Sequence, residues 1–164
     1  MSSTQTVIQR FREARLQQRV VARYAAKTLD FGAAEAEAKK AEKRYAENAR
    51  TFANMKKPGL DSVKYGKALD VLLKNGNAAA SAAKQMISTY RSVTSINAKN
   101  ALKWLNECVR QWGQYSGFGT NSGTREEMQA NIYAGAQQLD ASLKVIDRTL
   151  KGEEVVLDDS WRTH

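Results

Sequence analysis

Apolar residues recur along most of this chain at helical spacing, not strand spacing. In residues 7–27, VIQRFREARLQQRVVARYAAK, Val7, Phe11, Ala14, Val21 and Ala25 fall on one side of a helix. Leu16, Val20 and Tyr24 widen that apolar surface past half the circumference. Thr4 or Thr6 can cap this helix, which is expected to end near Thr28. A second helix, over about 31–56 with Asp30 as its cap, has one stripe of Phe31, Ala34, Ala38, Ala41, Tyr45, Ala49 and Phe52. Its other faces mix Glu35, Glu37, Glu42 and Glu47 with Lys39, Lys40, Lys43, Arg44 and Arg50, as a solvated, internally paired surface would.

Lys56-Lys57-Pro58-Gly59 is a stop followed by a turn. Asp61 or Ser62 then caps a short helix of about 62–75, with Tyr65, Ala68, Leu69, Leu72 and Leu73 inward. Asn75-Gly76 is expected to close it as a left-handed cap. Another helix opens at Asn77 and runs to about Ser92 on Ala79, Ala82, Ala83, Met86, Tyr90 and Val93. Ala78 to Ala80 would admit a close neighbouring backbone. After a break or bend at 94–97 comes the stripe Ala98, Ala101, Leu102, Leu105, Cys108, Val109 and Trp112. The glycine-rich stretch 113–123, GQYSGFGTNSG, is expected to be a loop. Thr124 to Glu127 reads as a capping box. The last helix carries Met128, Ile132, Gly135, Ala136, Leu139, Leu143, Ile146 and Leu150 and stops at Lys151-Gly152.

These elements predict an all-α fold: a single-domain bundle of five to six mostly antiparallel helices over residues 1–152, followed by a short acidic C-terminal tail, 153–164. Composition agrees. The 164 residues include one proline, and apolar residues, rich in alanine, make up 42%. No apolar run approaches the length needed to span a bilayer, so integral membrane insertion is not expected. A single cysteine, Cys108, forbids an intrachain disulfide and fits a reducing compartment. The basic, acid-poor start has something of a mitochondrial transit peptide, but its wide apolar surface suits a packed helix better. The expected location is cytoplasmic or virion-associated, not secreted.

Charge changes the picture most. The formal net charge is +9, and residues 1–27 hold six bases against one acid. Arg12, Arg15, Arg19 and Arg23 form a row on the first helix. Like charges at three- and four-residue spacing repel by about a few tenths of a kcal/mol per pair. Guanidinium groups match phosphate oxygens, so a polyanion would complete the row. Lys27 extends it, and Lys99, Lys103 and Arg110 occupy a narrow arc of a later helix, with Glu107 near. Such contacts hold a phosphate backbone and carry no base code. The tail pairs four acids with Val155, Val156, Leu157 and Trp161, a patch suited to docking on a neighbouring copy.

Catalytic chemistry finds no footing in the pattern. The one histidine is the terminal His164 and the one cysteine lies on an apolar stripe, so neither a metal site nor a nucleophile–base pair is expected. Adjacent carboxylates such as Glu126/Glu127 point about 100° apart on a helix. Arg125 and the free N–H groups at that helix start could hold a phosphate, against the charge of Glu126 and Glu127. The expectation is a non-enzymatic, cofactor-free protein that binds DNA or RNA without sequence preference. It would act as a repeated subunit of a nucleoprotein or a viral or phage assembly. The alternative is a protein-interaction module, such as a virion assembly factor, adaptor or inhibitor, with its basic face against an acidic protein. A third possibility lays the first helix on anionic lipid.

Overall fold

The computed structural model describes residues 31–118 and 124–153. The predicted first helix and the tail beyond Glu153 lie outside these residues. The described part is all-helical: α1 Gly32–Met55, α2 Ser62–Tyr90, α3 Ile96–Phe118 and α4 Arg125–Leu150. A helical bundle is therefore present. The five to six predicted helices reduce to four among the described residues, because the first lies outside them and two predicted elements are one.

That merger is centred on Gly76. Asn75-Gly76 was expected to end a helix, yet α2 runs through it without a break. The reason is packing. A Cβ at Gly76 would lie under 3.0 Å from three atoms of the Trp112 ring, so glycine is required for the indole to reach the α2 backbone. Asn77, expected to start the next helix, accepts a hydrogen bond from Trp112 Nε1 at 3.1 Å. Asn75 is buried and donates to Glu47 Oε2 at 2.6 Å and Asn48 Oδ1 at 2.9 Å. The residues that read as a turn are the cross-links of α2 to α1 and α3. The expected loop at 113–123 is also partly helix, because α3 continues to Phe118. A glycine inside a helix costs only about 1 kcal/mol, which the burial of the Trp112 indole just before Gly113 offsets.

Other predicted stops and caps are present, except at the start of α1, which follows Phe31 without a side-chain cap, the predicted Asp30 lying outside the described residues. Gly59 adopts a left-handed φ of 81° in the turn after α1. Asp61 accepts from the Lys64 amide at 2.8 Å and Thr124 from the Glu127 amide at 3.2 Å. Such caps contribute roughly 1 kcal/mol each. At the end of α4, Gly152 has φ 87°. The amides of Gly152 and Glu153 donate to the carbonyls of Thr149 and Arg148 at 3.0 and 3.1 Å, a Schellman closure.

Arg44 meets Asp140, and Phe52 stacks on Tyr133 with ring centroids 4.0 Å apart, so α1 and α4 are antiparallel. The helix α4 lies at the centre: α1, α2 and α3 all pack on it, α2 also touches α1 and α3, and α1 and α3 do not meet among the described residues. Its predicted stripe is buried, with Ile132, Leu139, Leu143, Ile146 and Leu150 at 1% exposure or less. So is its other side, which holds Gln137, Gln138, Asp140, Ser142 and Asp147. A helix so largely buried draws most of its polar partners from the bundle, though Gln137 Oε1, Gln138 Oε1 and Asp147 Oδ1 have none among the described residues.

Candidate nucleic-acid interface and end cleft

The sequence placed its site on the first helix, on α3 and in the tail. Arg12, Arg15, Arg19, Arg23 and Lys27, and Val155, Val156, Leu157 and Trp161, lie outside the described residues. Lys99, Lys103 and Arg110 are exposed on the outward face of α3. The Arg110 guanidinium forks onto Glu107, and that pairing raises its pKa. Lys99 and Lys103 have no carboxylate partner among the described residues.

The basic character of α2 escaped the sequence reading. Residues 62–118 hold eight lysines and arginines against two acids. Lys64, Lys67, Lys74, Lys84 and Arg91 all face solvent on α2 and its end, without a carboxylate partner among the described residues. Their spacing along a single long helix was the available signal, and splitting α2 in two obscured it. By contrast α1 pairs part of its charge at short range, Lys39 with Glu35 at 3.8 Å and Lys40 with Glu37 at 3.2 Å, as expected.

Of the residues assigned to the solvated surface of α1, Arg44 turns inward, and Glu47 stays exposed while reaching across to α2. Arg44 Nε donates to Asp140 Oδ1 at 2.9 Å, and Glu47 accepts from Asn75. Asn48, fully buried, lies between Asp140 and Asn75 and bonds to both. The result is a polar chain across α1, α2 and α4. Burial pushes Asp140 up from 3.8 to about 7, against the opposing pull of Arg44 and Lys144. On the α3 side, Cys108 is buried as predicted, with its Sγ 3.1 Å from Ser142 Oγ and within reach of the Gln138 amide at 3.6 Å.

A cleft of about 560 Å³ opens at the end of the bundle where α1 finishes and α2 and α4 begin. Phe52, Met55 and Leu60 supply its apolar wall, and Lys56, Lys57 and Arg125 its positive charge, with Glu126 as the one acid. Two of these cations sit on aromatic rings: Lys56 Nζ is 4.3 Å from the Phe52 centroid and the Arg125 guanidinium 3.5 Å from that of Tyr65. Tyr65 is itself fixed by donating its hydroxyl hydrogen to the Arg125 carbonyl at 2.8 Å. In the sequence Lys56 and Lys57 read only as a helix stop, and Arg125 as a phosphate contact opposed by Glu126 and Glu127; their convergence on one cleft does not show there.

No group of three or more His, Cys, Asp or Glu converges as metal ligands would among the described residues. No helix of these residues is long and apolar enough to cross a membrane. No protein-family model, curated protein or solved structure matches the chain.

Proposed function

We propose that this is a non-enzymatic helical protein that binds nucleic acid through its phosphates, without base readout, and works as one of several copies in a nucleoprotein assembly. The observation that carries the reading is the charge imbalance of the outward faces of α2 and α3, where Lys99 and Lys103 have no carboxylate partner among the described residues. Exposed cations held on two packed helices suit a polyanion whose charges repeat along a line. The arginine row at 12–23 would extend that surface, and the acidic, Trp161-bearing tail would join neighbouring copies.

The test is retention of single- and double-stranded DNA and RNA in gel shifts at two or more salt concentrations. Binding should weaken steeply with salt, the logarithm of affinity falling by about 0.9 per phosphate neutralised on a duplex for each unit of log salt. Lys99→Glu with Lys103→Glu should lower affinity at least tenfold and flatten the slope by roughly two, with helical circular dichroism unchanged. Absence of a shift at low salt, or an unaltered slope in the double variant, removes the reading. If an acidic protein is the partner instead, nucleic acid will not compete with it.

A further inference from the structure

The cleft at the end of the bundle is separate from the α2–α3 faces, and its lining is suited to a smaller ligand. Its volume of about 560 Å³ lies in the range of small-molecule sites, roughly 300–1,000 Å³. Its chemistry is divided. Lys56, Lys57 and Arg125 stand around it with no ion-pair partner among the described residues, and two of them rest on aromatic rings. Deeper in, Gln129 lines the cleft at 5% exposure. Its amide carries both donors and an acceptor, the pairing that a base edge requires. Phe52 cannot serve as a stacking platform, since Tyr133 covers one face and Lys56 sits over its ring. The guanidinium plane on Tyr65 can serve, because bases stack on arginine as they do on aromatic rings.

We infer that this cleft binds a nucleotide, its phosphate held by Lys56, Lys57 and Arg125 and its base hydrogen-bonded by Gln129 beside the Arg125–Tyr65 stack. The ligand is a single nucleotide unit, supplied either as a free nucleoside monophosphate or as the phosphorylated end of a strand. Glu126 disfavours a more highly charged polyphosphate pressed against the helix start.

Calorimetric titration of the full chain at low ionic strength tests this, with the four nucleoside monophosphates, their nucleosides and inorganic phosphate as separate ligands. At least one monophosphate should bind about tenfold or more tightly than either its nucleoside or phosphate alone. Lys56→Gln with Lys57→Gln, both exposed, should weaken that binding about tenfold without changing thermal unfolding. Gln129→Leu should weaken the monophosphate and leave inorganic phosphate unaffected. A 5′-phosphorylated pentanucleotide that competes where its unphosphorylated twin does not identifies a strand end as the source. A pentanucleotide excluded in both forms identifies the free nucleotide. Lys99→Glu with Lys103→Glu should leave these titrations untouched, which separates this site from the duplex-binding surface. Lack of heat from every monophosphate at millimolar concentration, equal binding of nucleoside and monophosphate, or indifference to the double lysine variant overturns the assignment.

Discussion

Asp140 offers the sharpest test of the packing argument, because two large effects act on it in opposite directions. Its carboxyl is fully buried at the centre of α4, which favours the protonated form, while Arg44 at 2.9 Å favours the charged one. The salt bridge is incomplete: Arg44 Nη2 is buried without a hydrogen-bond partner. Burial therefore prevails, and the carboxyl titrates near 7 instead of 3.8. Between those values the native protein holds a proton that the unfolded chain has released. Unfolding free energy must then fall as pH rises. The stabilisation from this group is complete below pH 4, declines through the intervening range and is gone above 7. Three pH units correspond to about 4 kcal/mol.

Asp147 is also raised by burial, against Lys151, and pulls in the same direction. A comparison with Asp140→Asn removes that shared contribution. The amide preserves the shape and cannot titrate. Urea unfolding of both proteins from pH 4.5 to 7.5 gives the difference directly. The advantage of the native protein over the variant should shrink with rising pH by a few kcal/mol. Should the advantage grow with pH instead, the Arg44 contact outweighs desolvation, Asp140 is a buried anion, and the reasoning is refuted.

Other substitutions probe single contacts. Gly76→Ala should destabilise by about 1–3 kcal/mol although alanine is the better helix former, because Trp112 must move; a more stable variant in thermal denaturation would contradict the packing. Leu143→Ala, at a fully buried position of α4, should cost about 2–5 kcal/mol in chemical denaturation, and a loss below 1 would mean that α4 is not central. Cys108 should resist a bulky thiol reagent in the folded protein and react after addition of denaturant, since it is buried between α3 and α4; rapid labelling of the native form would disprove that.

The helices whose apolar residues form a narrow stripe were legible from spacing alone, α1 and α3 most fully. So were the ends marked by Asp61, Thr124, Gly59 and Gly152, which act locally on the backbone beside them, whereas α3 runs on into the stretch expected as a loop. Gly76 was misread because a glycine needed for close approach and a glycine needed for a left-handed turn look the same in sequence. The distinction depends on Trp112, thirty-six residues away. Arg44 was misread for a related reason. Its neighbours on α1 are charged, so periodicity gave no hint that Asp140 would meet it. For the site, Lys99 and Lys103 were visible as an exposed arc, whereas the end cleft gathers residues from three helices and a turn, which spacing within one helix cannot reveal.

The same burial that makes Asp140 costly also shapes the outside of the molecule. The central helix α4 keeps Asp140 and Asp147 inside, at 0% and 7% exposure. Their charge is weakened by proton uptake or spent on Arg44 and Lys151, and little of it reaches the solvent. The lysines of α2 and α3, which do not pack on acids, stay at the surface with their charge unmatched. The formal charge of the chain therefore understates the positive potential of that side, since acids counted in the sum are hidden from a ligand approaching it. Asp140→Asn would remove a carboxylate from the sequence yet leave this surface almost unchanged. Its nucleic-acid affinity should match that of the native protein within about twofold at the same salt concentration. A marked increase would show instead that the buried acid acts through the protein on the outer field, and that burial does not screen the two from each other.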